Sequence, residues 1–201
     1  ELLGPALPEL VKARAACPEH NRDEAGLQHL YEYIIAGEGE KVLVWCLDNK
    51  SKINDDLVRG ECFYLKGLAL AILGDHRESL EAHESALLDG FYTPYVLFNA
   101  GNSCRNLNKN QLAIEFFEKA LSLFPDFSEC RHNCALAFRD QGQKEQAERM
   151  LRLLLRDHPE YLQASFSSAD LLRDSHRYEE AIEAYKNALR NNPKDEETRY
   201  N

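Results

Sequence analysis

The sequence predicts an all-α fold, a right-handed α-solenoid of stacked antiparallel helix pairs, and two observations predict it. Apolar residues recur along most of the chain with the 3.6-residue period of amphipathic helices, in stretches broken by short polar turns and prolines. The same pattern of small, bulky and helix-ending residues then returns at a step of 34 residues. A step of that length is the signature of a repeat architecture in which each unit buries its apolar face against the next.

Taken in order, the first segment, residues 1–21, contains "PELVKARAACPEH", a short helix stopped by Pro18. Residues 22–59 read as a degenerate helix pair. Asn21 and Glu24 have the spacing of a capping box, "DEAGLQHLYEYIIAG" forms an amphipathic helix ending near Gly37, and "GEKVLVWCLDNK" is its partner. The step from Gly37 to Gly74 is 37 rather than 34, so this pair has a lengthened connection and serves as an atypical terminal unit. Four regular units follow, at 60–93, 94–127, 128–161 and 162–195, and residues 196–201 begin a further or capping helix.

The columns that define the regular units have physical reasons. Small residues recur at Ser79, Ala113, Ala147 and Ala181, and those at Gly67, Gly101, Ala135 and Ala169, with Ala86, Ala120 and Ala188 in the second helix, let neighbouring helices approach closely. Bulky Phe117, Leu151 and Tyr185, in one column with His83, fill the space beside them. Gly74 and Gly142 suit the left-handed residue that ends a first helix, Asn108 substitutes for glycine there, and His176 is the outlier. Pro125, Pro159 and Pro193 stop the second helix, a place held by Phe91 in the first regular unit.

This pattern resembles the tetratricopeptide repeat, whose helix-turn-helix unit has the same length. The resemblance covers about Gly60 to Asp195 and departs from the family where no tryptophan stands in the usual aromatic column and where Leu154 replaces a small residue. It implies a noncatalytic interaction module in which the first helices line a concave groove and hold a segment of a partner protein.

Composition sets limits on function. With 44% hydrophobic and 29% charged residues the chain can bury a core, and no apolar run reaches the roughly 20 residues of a membrane span. A net charge of −10 argues against nonspecific nucleic-acid binding and against docking on acidic membranes. Six cysteines show no disulfide-framework spacing, and no signal peptide is visible in the opening "ELLGPALPEL", so a reducing, cytoplasmic setting is expected. "CRHNC" places Cys130 and Cys134 on one side of a helix and His132 on the other, poor geometry for zinc. No phosphate loop, nucleophile elbow or HExxH motif is present, so neither an enzyme nor a cofactor is expected.

Partner-binding candidates come from positions five, nine and twelve of each unit, which share one helical face. They are Tyr64, Leu68 and Ala71; Phe98, Asn102 and Arg105; His132, Leu136 and Arg139; Phe166, Asp170 and Arg173. A ring column of Tyr64, Phe98, His132 and Phe166 offers apolar and stacking contacts. A basic column of Arg105, Arg139 and Arg173 has two readings. It recognises carboxylates or phosphates of an acidic partner, or it is solvated charge at helix ends, neutralised by Asp140 and Asp174.

The family resemblance offers two further binding modes. The carboxylate clamp of chaperone-binding members matches Asn102 and Asn133 but meets Phe98, Gln163 and Ser167 where basic residues are needed, so it is absent. The asparagine ladder of the O-GlcNAc transferase arm matches Asn99 and Asn133, with Leu65 and Ser167 as interruptions. The expected function is recognition of an extended or helical partner segment. The alternatives are a substrate-recognition arm of a larger enzyme such as a glycosyltransferase, and a self-associating scaffold.

Overall fold

The computed structural model describes residues 27–49 and 52–191. The proposed N-terminal helix, the Asn21–Glu24 capping box, Pro193 and the helix start at 196–201 lie outside the described residues. Ten helices and no strand are found among the described residues. They are α1 (Leu27–Ile35), α2 (Gly39–Asn49), α3 (Asp56–Ile72), α4 (His76–Leu88), α5 (Pro94–Asn106), α6 (Asn110–Leu123), α7 (Ser128–Asp140), α8 (Lys144–Asp157), α9 (Leu162–Asp174) and α10 (Tyr178–Asn191). The fold is an all-α helical-repeat solenoid. It divides into two compact units, Glu1–Leu112 and Ala113–Asn201, with the division inside α6.

The helix ends explain the repeat. Asp55, Asp75 and Thr93 cap α3, α4 and α5, each accepting from the backbone N–H three residues on, and Pro94 opens α5 where its missing N–H costs nothing. At the other end of the first helices, Gly74, Asn108, Gly142 and His176 all hold positive φ, between 58° and 85°. The residue after each closes the same bond: Asp75, Lys109, Gln143 and Arg177 donate their N–H to the carbonyls of Leu70, Cys104, Phe138 and Leu172, at 2.9–3.0 Å. This is the Schellman closure, and it requires a left-handed residue at one fixed place in every unit. His176 adopts that conformation as well, with Nδ1 2.8 Å from the Tyr178 hydroxyl.

In the first unit α3 packs on α4, α4 on α5, and α2 on α3, with α1 touching both α2 and α3. Its core gathers Leu30, Tyr31 and Ile34 of α1, Val42 of α2, and Tyr64, Leu65 and Leu68 of α3. A Cβ added to Gly67 would lie 2.6 Å from His83 Nε2, so the small residue is what admits that imidazole between α3 and α4. Beside it Ser79 Oγ donates to the Gly67 carbonyl at 2.8 Å and lies 2.9 Å from Ser103 Oγ, all buried. A bidentate pair of Arg59 with Asp89 ties the start of α3 to the end of α4.

In the second unit α7 pairs with α8, and α9 with α8 and α10. Ala135, Ala147, Leu151, Leu154, Ala164 and Leu171 form its apolar centre, with Phe138, Met150 and Tyr161 against them. Leu154, which departs from the small-residue column, is fully buried. The helices α6 and α8 stop two residues short of Pro125 and Pro159.

Candidate functional site

The twelve candidate residues fall into two groups that the sequence does not separate. In the first unit Tyr64, Leu68, Phe98 and Asn99 are only 2%, 1%, 4% and 6% exposed. The Tyr64 ring lies 5.9 Å from that of His83 and 5.8 Å from that of Phe91, and Asn99 Nδ2 donates to the Tyr95 carbonyl at 2.9 Å and reaches the Tyr64 hydroxyl at 3.5 Å. Burial drives the Tyr64 phenol upward from its ordinary range. These four residues are therefore core. Their assignment to partner contact is corrected, because a side chain with almost no exposed surface has nothing to offer a ligand while the core stays closed. The Asn99 rung of the proposed ladder is likewise used inside the protein. Asn102 and Arg105 of α5 remain half-buried at the surface.

The second unit is different. His132, Asn133 and Arg139 of α7 are half-buried, as are Phe166 and Asp170 of α9, and Arg173 is 55% exposed. His132 Nε2 lies 2.8 Å from Ser167 Oγ, which joins the two first helices and places these residues on neighbouring turns. The His132 ring meets Tyr161 edge-on at 5.6 Å. Phe166 lies 6.3 Å from the ring of Tyr185, whose hydroxyl donates to Asp170. Tyr185 is pushed up to about 12, first by desolvation and then by that bond to a carboxylate. The sequence assigned Tyr185 to the bulky packing column alone, and the structure adds it to this face. Its signal was present in the spacing, since Tyr185 stands twelve residues after Arg173 on the returning helix.

The arginines of this unit are paired. Arg139 meets Asp140 at 3.2 Å, and Arg173 meets Asp170 at 3.0 Å and Asp174 at 3.3 Å. The Arg173 guanidinium is held above its ordinary range, mainly by the Asp170 charge. Each cation thus sits beside a carboxylate of its own helix, as the second reading of the basic column expects. The face is mixed in charge, with rings between the charged groups.

Among the described residues there is no group of three His, Cys, Asp or Glu side chains that could hold a metal ion. No described helix is long and apolar enough to cross a membrane.

Two family models described as tetratricopeptide repeat match the chain, one over residues 94–127 and the other over 135–196. No curated protein sequence matches it. Similar solved structures include MamA from Desulfovibrio magneticus RS-1, with 18% identity, 87% of this chain and 98% of that chain covered, and a TM-score of 0.76. YrrB, described as a TPR protein with an unusual peptide-binding site, has 16% identity, coverage of 97% and 96%, and a TM-score of 0.72. PilF of Pseudomonas aeruginosa has 18% identity, coverage of 89% and 81%, and a TM-score of 0.72. At such identities the likeness is one of fold.

Proposed function

This chain belongs to the tetratricopeptide-repeat family, and from that membership we propose that it is a noncatalytic protein-interaction module whose partner lies on the exposed α7 and α9 face of the second unit. The observation that supports this reading most is the His132–Ser167 contact, which aligns two first helices so that His132, Asn133, Arg139, Phe166, Asp170 and Arg173 are reachable together. Phe166 and His132 offer ring surface, and Asn133 offers an amide that can both donate to and accept from a peptide bond. Arg139 and Arg173 are held in place by their aspartates, so a partner carboxylate would join an existing pair rather than meet a bare cation. The preference for acidic segments in this reading is accordingly modest. A segment with alternating acidic and polar groups fits a face on which Asp170 stands beside Arg173.

The test is capture of partners from a host lysate with three baits: wild type, the double variant Arg139→Glu/Arg173→Glu, and Arg105→Glu as a control in the first unit. Circular dichroism verifies that all three are equally helical. The expected result is a partner held by wild type and Arg105→Glu and lost from the double variant. Equal capture by all three baits would remove the α7 and α9 face from the account.

A further inference from the structure

The first unit contains a cavity of about 340 Å³ between α2 and α3, lined by apolar Leu43, Leu47 and Phe63 together with Cys46, Cys62 and Lys66. Cys62 and Lys66 are one helical turn apart on α3, and both line this cavity together with Cys46 of α2. The Cys46 and Cys62 side chains thus line one cavity from two adjacent helices. Cys46 is half-buried, whereas Cys62, Cys104, Cys130 and Cys134 are buried.

Two influences make Cys46 unlike the other thiols. The neighbouring Cys62 thiol, first, and the Lys66 charge favour the Cys46 thiolate and outweigh the opposing effect of burial, so its pKa is lowered. At Cys104 and Cys134 burial dominates instead and pushes each up to about 12, and it raises Cys130 as well. A nucleophilic cysteine needs a stabilised thiolate, access and, for disulfide chemistry, a second thiol within reach. Cys46 is partly exposed, has its thiolate favoured, and shares its cavity with the Cys62 thiol.

We propose that Cys46 and Cys62 form a reactive dithiol that takes low-molecular-weight disulfides of the glutathione class and closes to an intramolecular disulfide across α2 and α3. In the first step the Cys46 thiolate attacks one sulfur of the small disulfide, forming a mixed disulfide and expelling one thiolate. The Cys62 thiol then gives up its proton and attacks Cys46 Sγ, expelling the second thiolate and forming the Cys46–Cys62 bond. The protein loses two electrons and two protons, and one small disulfide becomes two small thiols. The new bond ties the atypical α1–α2 pair to the first regular repeat, from inside the cavity.

The experiment uses the full chain, pre-reduced and exposed to oxidised glutathione for timed intervals, then quenched with acid, alkylated and digested with trypsin. Cys46 and Cys62 fall on separate tryptic peptides, 42–50 and 60–66, so their disulfide is read directly as a cross-linked pair. The expected result is that cross-link as the first product, with Cys46 reacting at least about tenfold faster than the buried Cys104 or Cys134, whose thiolates are disfavoured and whose sulfurs are closed off from the reagent. Cys62→Ser should stop at a glutathione adduct on Cys46, and Cys46→Ser should abolish the fast phase. Lys66→Gln should slow the first step while leaving the cross-link as the product. Equal reactivity of all cysteines, a lasting glutathione adduct in the wild type, or a cross-link from Cys46 to Cys17 would overturn the proposal.

Discussion

Replacing His83 by leucine should remove the acid sensitivity that this buried imidazole gives the first unit. His83 is fully buried between α3 and α4, and neither ring nitrogen has a hydrogen-bond partner. Its neighbours are the Tyr64 ring and the backbone at Gly67, neither of which can accept its N–H in the geometry found. Burial therefore pushes its pKa down from 6.5 to about 3. In the unfolded chain the imidazole takes a proton below pH 6.5, while in the folded unit it stays neutral down to about pH 3. Between those values the unfolded state binds more protons, so stability rises with pH and is lost as pH falls through the window. One pH unit inside the window corresponds to about 1.4 kcal/mol. Lowering the pH from 7 to 5 should then cost about 2 kcal/mol through this residue alone.

Leucine occupies the equivalent place at Leu151, where it is also buried, so its shape suits the site. Removing two unsatisfied polar atoms should in addition stabilise the unit at pH 7 by about 1 kcal/mol or more. The assay is urea unfolding followed by the fluorescence of Trp45, the one tryptophan in the chain, which packs against the first-unit core. Wild type should lose about 2 kcal/mol more than His83→Leu between pH 7 and pH 5. The same loss in both proteins would refute the reasoning, since every other titrating group is common to them.

Other outcomes follow from particular residues. Gly142→Ala should destabilise the second unit by about 1 kcal/mol in thermal unfolding, because φ is +81° while nothing lies within 4 Å of the added Cβ, so only backbone strain acts. His176→Gly, at the equivalent turn, should have the opposite sign and a size of about 0.5–1 kcal/mol. Ser79→Ala should cost about 1–3 kcal/mol by leaving the buried Ser103 hydroxyl and Gly67 carbonyl short of a partner, and the double change Ser79→Ala/Ser103→Ala should recover part of that loss in urea unfolding.

The sequence carried the fold where geometry allows few residue types. A left-handed helix end at Gly74, Asn108 and Gly142 and a close helix approach at Gly67 both restrict composition, so both appear as columns. His176 reads as an outlier because histidine tolerates that backbone at a cost, and the Schellman bond from Arg177 to Leu172 imposes it nonetheless. The candidate site was less legible. Position within a helix fixes which face a residue occupies and leaves open what covers that face. Tyr64 and Phe98 stand in one column with His132 and Phe166, yet the first two are closed in and the last two are not. The aspartates that pair with Arg139 and Arg173 are sequence neighbours and could be read, whereas the Tyr185 contact depends on how α10 returns along α9. Cys46 and Cys62 lie across the lengthened connection, where the 34-residue step does not apply, and no column links them.

The most direct test of the central proposal is hydrogen–deuterium exchange of the full chain with and without its captured partner segment. The account expects slowed exchange in peptides covering 132–139 of α7 and 166–173 of α9, with those of α3 unchanged. Protection confined to other helices, with 132–139 and 166–173 exchanging as in the isolated chain, would contradict it.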